Sequence, residues 1–302
     1  MRKVLATTLV GLSKDKDFAF LTGDLGFMAL EPLREAAGER FINAGVAEQN
    51  MVTVAAGMAR LGFRPWVYSI APFVYARAFE QVRNDVCFHK LPVFLIGNGG
   101  GYGYGVMGAT HHALEDYGAL LGLPHMRVYV PAFAADVPVA AERIVRAGSP
   151  AYFRLGRDEL PKSVVLPAYA PWRRLLTGGG PTLVIVGPLT GGILGAAMEL
   201  RDPIRPTLWV LSELPVLADE IPPALVEDIQ RSGHLIVVEE HVASGGAGQG
   251  LAHALLLRGA APGRFSHRHA LGYPSGFYGS QDFHRKECGL DPQSILASLE
   301  KP

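Results

Sequence analysis

In the stretch ERFINAGVAEQNMVTVAAGMARLG, residues 39–62, one carboxylate sits at a junction where it can do chemistry. A short β-rich run ends near Asn43, and Ala44-Gly45 leads into a helical pattern with Met51, Val54, Ala55, Met58 and Leu61 on one face. Glu48 therefore falls in the first helical turn, where the free N–H groups and the macrodipole stabilise a negative charge. A plain helix-start role accounts for such a residue without any function. Its place favours function, because open α/β sheets bind ligands just past the carboxyl ends of their strands.

A second group of residues surrounds Thr110-His111-His112, which follows the glycine-rich run Gly97-Asn98-Gly99-Gly100-Gly101-Tyr102-Gly103-Tyr104-Gly105-Val106-Met107-Gly108. Gly103, Gly105 and Gly108 form a G-x-G-x-x-G that a dinucleotide site would use. Two features oppose that reading. Several residues separate the preceding strand from the first motif glycine, and the next β-rich run ends without the ribose-binding acid. A flexible substrate loop fits better. Adjacent histidines also start helices without binding anything, and metal-ligand spacing is absent.

These residues need a frame to hold them. β-rich runs at 18–22, 64–69, 92–96, 126–131 and 151–155 alternate with helical patterns, as they do in a mostly parallel sheet with helices on both faces. Prolines and a triple glycine then break the pattern between Leu160 and Thr182, and alternation resumes at 183–186, 207–211 and 235–238. The expected fold is α/β, with two doubly wound domains: residues 1–165, a linker over 166–181, and residues 182–302. The start, MRKVLATTLVGL, imitates a secretory signal, but Lys14-Asp15-Lys16-Asp17 stands where a cleavage site should lie. An amphipathic helix on Val4, Leu5, Thr8, Leu9 and Leu12 is the better account. Basic and acidic residues number 28 each, so nothing draws the chain to nucleic acid or an anionic membrane. No apolar stretch is long enough to span a bilayer. Cys87 and Cys288 are the two cysteines; they are far apart, which fits a reducing, cytoplasmic setting.

The strings AGVAEQNM, PFVYARAFEQVRND, GATHHALED and RVYVPA, in this order and at these intervals, resemble the pyrimidine-binding domain of transketolases. VVEEHVASGGAGQGLAHAL, residues 237–255, is similar to the carboxyl-terminal domain that transketolases share with the beta subunits of 2-oxo-acid dehydrogenases. The resemblance implies thiamine diphosphate as cofactor, with Glu48 hydrogen-bonded to N1′ of its aminopyrimidine. Phe73 is then the aromatic ring beside the aminopyrimidine, although a core phenylalanine is an equally ready account. A second family aromatic falls on Ile70, which leaves one wall aliphatic unless Tyr68 or Tyr75 compensates. His111 matches a substrate-contacting histidine, and Arg157 and Arg2 match arginines that take a substrate phosphate, a task suited to the guanidinium fork.

The resemblance also implies what to seek elsewhere. Whole transketolases hold Mg²⁺ and the diphosphate on a G-D-G motif followed by asparagine; Gly23-Asp24-Leu25-Gly26 with Asn50 only imitates it. The metal ligands are expected on a second, amino-terminal type of subunit, most simply in a heterotetramer. Family members read G-E-D-G before the threonine-histidine pair, with the aspartate on a donor hydroxyl, whereas Met107 stands here, and a further family histidine aligns with Gly99. A specialised, modified or deoxygenated sugar, or an oxo acid, is the expected substrate. The readings left open are a split transketolase, which GATHHALED favours; a beta subunit of a 2-oxo-acid dehydrogenase or a deoxyxylulose-phosphate-synthase-like enzyme; and a non-catalytic regulatory subunit.

Overall fold

Strands, most of them with side chains buried on both faces, carry the fold. In the computed structural model, which describes residues 1–162 and 164–299, they form two sheets. The first contains β1 (Phe18–Thr22), β2 (Phe41–Asn43), β3 (Arg64–Ile70), β4 (Phe94–Asn98), β5 (Arg127–Tyr129) and β6 (Ala151–Leu155). The second contains β7 (Trp172–Leu176), β8 (Thr182–Val186), β9 (Thr207–Leu211), β11 (His234–Val238) and β12 (Arg264–Arg268). Pairing is parallel throughout except for β7 against β9, and for β10 (Glu213–Leu214), which runs antiparallel to β5. The α/β reading therefore holds. β2 and β3 flank β1 on opposite sides, so the chain reverses its direction of growth at β1. That is the place where a crevice opens over an open sheet.

Three details depart from the sequence reading. Residues 166–181, read as a linker, contain β7, an edge strand; the prolines that blurred the pattern lie outside its span, where they cost no ladder bond. β10 leaves the second half of the chain to complete the first sheet, so the halves are not sealed at one boundary. The helix from Glu48 to Arg60 buries Met51, Val52, Ala55, Ala56 and Ala59, while Val54 and Leu61 face outward, 40% and 81% exposed. Its buried face sets three alanines beside Met51 and Val52, so the helix turns to the core a different face from the one read off the sequence.

The first helix, α1 (Arg2–Leu12), packs Leu5 and Leu9 fully into the core on one face of the first sheet. The core on the other face continues without a break to Val184, Leu211 and Val237 of the second sheet. Cys87 and Cys288 are buried and unpaired. Among the described residues no helix is long and apolar enough to cross a membrane.

Candidate active site

Glu48 is the first residue of its helix and only 5% exposed. β1 delivers Gly23 beneath it, where an added Cβ would stand 3.7 Å from Glu48 Oε1. β3 alternates, sending Trp66 and Tyr68 to one face and Val67 and Ser69 to the other. The Ser69 hydroxyl donates to Glu48 Oε1 at 3.5 Å. Past β3 the chain winds into wide π-type turns, Phe73–Arg77 and Val82–Cys87, a geometry common at functional sites. Arg77 Nη1 donates to both Glu48 oxygens, at 3.3 and 3.4 Å, and its Cζ lies 3.7 Å from the Phe73 ring centroid. An open hollow of about 570 Å³ is lined by Val46, Ala47, Glu48, Gln49, Asn50 and Arg77.

His111 joins this group from the loop after β4. Its ring meets Phe73 edge-on at 5.2 Å and Tyr104 at 5.8 Å, and Nδ1 pairs with Thr110 Oγ1 at 2.9 Å. The loop is fixed by its buried neighbour His112. Gly105 O can only accept, so His112 Nε2 donates to it at 2.8 Å and Nδ1 accepts from the Tyr273 hydroxyl at 2.8 Å. Burial, the largest influence, holds the His112 pKa below its usual value, so the ring is kept neutral. Gly99 has φ +73, and a Cβ there would stand 2.3 Å from a ring carbon of Tyr104, whose hydroxyl accepts from Asn98 Nδ2 at 2.8 Å.

The motif around VVEEHVASGGAGQG proves to be the clasp of this loop. Glu240 accepts from the Tyr102 backbone N–H at 2.7 Å, from Gln281 at 2.8 Å and from Arg285 at 2.7 Å. Gly101 must be glycine because a Cβ would lie 2.5 Å from the Glu240 carboxylate. Glu239 accepts from Ala247 N–H and Gly248 N–H, both at 2.8 Å, and so caps the helix Ala247–Leu257; it also binds His267 and the Tyr117 hydroxyl. Burial opposes its charge, but the His267, Tyr117 and Gly248 hydrogen bonds outweigh this and hold its pKa below the usual carboxylate value.

The other expected site residues lie in different places. Tyr68 packs on the far face of the sheet beside Phe20, 6.1 Å between ring centroids. Its pKa is pushed up to about 12 by burial and by Tyr104, with Arg2 opposing, which places exposed Arg2 beside both tyrosines. Tyr75 turns into the core and donates to Glu115 Oε2 at 3.4 Å, because two positions past Phe73 a helical side chain points away. Ile70 is buried at the end of β3. Met107 is 55% exposed on the single turn Gly105–Met107. Arg157 lines a separate cleft of about 510 Å³, with Glu159, Leu189, Asp282 and Lys286 among its neighbours, and Glu48 does not reach it. Asp24 is occupied by Asn43, exchanging two hydrogen bonds at 3.0 Å. Among the described residues no group of acidic, histidine or cysteine side chains is arranged to hold a metal.

Sequence reasoning passed over Arg77, Ser69, Tyr104 and Tyr273. Only Arg77 left a signal, the i, i+4 spacing from Phe73 that places a cation over an aromatic face on a helical turn.

The family described as transketolase, pyrimidine binding domain, matches residues 1–163. An apulose-4-phosphate transketolase subunit of Phocaeicola vulgatus is 31% identical over 82% of this chain and 80% of its own length. The 1-deoxy-D-xylulose-5-phosphate synthase of Nitratidesulfovibrio vulgaris is also 31% identical, over 89% of this chain but 42% of its own length. Among solved structures, a split gene transketolase described as an inactive beta4 tetramer superposes with a TM-score of 0.84 at 29% identity, covering 99% of this chain and 96% of its own. Residues 1–163 thus match a pyrimidine-binding domain, and the whole chain follows a split-gene transketolase chain almost end to end; the chain belongs to the transketolase family, as a C-terminal subunit of the split type.

Proposed function

We propose that this chain supplies the pyrimidine half of a thiamine-diphosphate site and, with a second subunit that carries the diphosphate half and Mg²⁺, moves a two-carbon ketol unit between sugars. Membership of the family implies the cofactor. The observation that carries the reading is the state of Glu48: a carboxylate 5% exposed whose side-chain contacts are all long, 3.3 to 3.5 Å, beside a phenyl face. A seat of this kind suits a flat ring with a nitrogen able to share a proton, which is the chemistry of an aminopyrimidine. Bound thiamine diphosphate supplies the carbanion chemistry. Glu48 holds the proton at the ring nitrogen, Phe73 stacks on the ring, Ile70 closes an aliphatic wall, and His111 faces the substrate.

Arg157, set apart in its own cleft, is proposed for a substrate phosphate, with Arg2 in a lesser role beside Tyr104. Val46, on the rim of the Glu48 hollow, is 78% exposed, and Phe27 and Met28 in the segment after β1 are 73% and 89% exposed, apolar surface of the kind a partner chain covers. A heterotetramer of two subunits of each type, working in the cytoplasm, completes the proposal. A relative named for apulose 4-phosphate favours a specialised sugar phosphate over the commonest pentose and hexose phosphates. The synthase relative, together with Met107 where the family places a hydroxyl-binding acid, favours testing an oxo acid as donor as well.

The test is calorimetry with thiamine diphosphate and a ketol-transfer assay, each with and without the amino-terminal subunit. The chain alone should bind the cofactor weakly without turnover, and the assembled pair should bind it with Mg²⁺ and turn over. Tight Mg²⁺-dependent binding by the lone chain would sink the split-site reading, and turnover of pyruvate in place of a ketose would move the enzyme to the second reading.

A further inference from the structure

Arg77 makes both of the contacts that define the seat. Its flat guanidinium stacks on Phe73 at 3.7 Å and offers N–H groups to both oxygens of Glu48. An aminopyrimidine has the same two needs, a flat face against phenyl and a nitrogen edge against carboxylate, and the two groups cannot occupy the place together. We propose that Arg77 is a resident stand-in for the aminopyrimidine: it fills the seat when cofactor is absent and must swing out before cofactor can bind. The inference rests on the function proposed above.

The physical arguments concern burial and length. Glu48 is 5% exposed, and a buried carboxylate left without a cation is costly, so an empty seat needs an internal partner. Arg77 is 47% exposed, so it reaches the seat from the solvent side and has a hydrated place to go when displaced. Its hydrogen bonds are long enough for a better-fitting ligand to replace. Arg77 and Phe73 also bound the same π-type turn, Phe73–Arg77, so the stacking platform and its occupant share one short segment. The arrangement lowers apparent cofactor affinity by the fraction of chains with Arg77 seated.

Two measurements test this. In the assembled enzyme, Arg77→Ala should tighten thiamine diphosphate binding by about 3- to 10-fold and speed its association, with Arg77→Lys in between because it keeps charge but not flatness. Unchanged or weaker binding by Arg77→Ala overturns the proposal, the weaker case showing that Arg77 serves the cofactor instead. In the cofactor-free chain, thermal unfolding of Arg77→Ala, Glu48→Gln and the double variant should show the two changes coupled; additive effects overturn the proposal whatever the cofactor does. Failure of the wild-type assembly to bind thiamine diphosphate would count against the proposed function, while the coupling measurement would still decide whether Arg77 occupies the seat.

Discussion

The ring of Tyr104 fills the space into which a side chain at Gly99 would project, 2.3 Å from the nearest ring carbon to an added Cβ. The position at which the family resemblance leads one to expect a histidine is therefore not open space. A tyrosine from five residues on has taken its volume, with its hydroxyl tied to Asn98 and its ring 5.8 Å from His111.

Gly99→Ala is accordingly expected to lower stability by about 1–3 kcal/mol from backbone strain at φ +73, with a further steric cost from Tyr104. Urea unfolding of Gly99→Ala in wild-type and Tyr104→Ala backgrounds separates the two. The penalty should shrink in the second background without vanishing, since the strain remains.

Glu48→Gln should leave folding and assembly intact, because the amide keeps the shape. Activity of the reconstituted enzyme should fall by roughly 10²- to 10⁴-fold, the usual contribution of a positioned acid–base group. Exchange of the cofactor's thiazolium proton for deuterium, followed by NMR, reads this directly; a wild-type exchange rate would show that Glu48 has another role.

The buried neutral His112 makes stability depend on pH. Its folded-state pKa lies below the ordinary 6.5, so the unfolded chain takes up the proton first as pH falls. The stabilisation is complete above about 6.5 and is lost as pH drops through the folded value. His241, lowered chiefly by burial, adds to the same slope. Urea midpoints measured from about pH 7.5 to 5.5 should decline, and His112→Gln should flatten the decline; an identical slope in the variant would assign it to other groups.

Met107 projects from the turn before Thr110, the loop proposed to meet substrate, and Met107→Asp should supply a hydroxyl acceptor there if that proposal holds. Met107→Asp is expected to raise the specificity constant for xylulose 5-phosphate relative to pyruvate by about 10-fold, one hydrogen bond's worth. Steady-state kinetics of both donors on the assembled enzyme check this, and an unchanged ratio means that Met107 does not face the donor.

Period and punctuation made the sheets legible: β1, β6 and β9 begin and end where alternation of apolar runs placed them, because fully buried parallel strands write themselves as continuous apolar text. β12, with the polar sequence RFSHR on a half-exposed edge, and the two-residue β10 carry no such text. Glu48 was legible because a strand end, a glycine and a helix start are local signals. Arg77 over Phe73, Tyr104 in the space of Gly99 and Tyr273 on His112 are tertiary facts. The last joins residues 161 positions apart, and no spacing rule reaches that far.

The strand Glu213–Leu214 has one more consequence. It seals the open edge of β5, and Glu213 receives Arg143 Nε at 2.6 Å from the neighbouring helix, so the first sheet finishes on residues supplied by the second half. Neither half can melt alone without baring a sheet edge and abandoning a buried carboxylate. Heat or denaturant should therefore meet one cooperative transition, in which the hinge usually assumed between two α/β layers behaves as a weld.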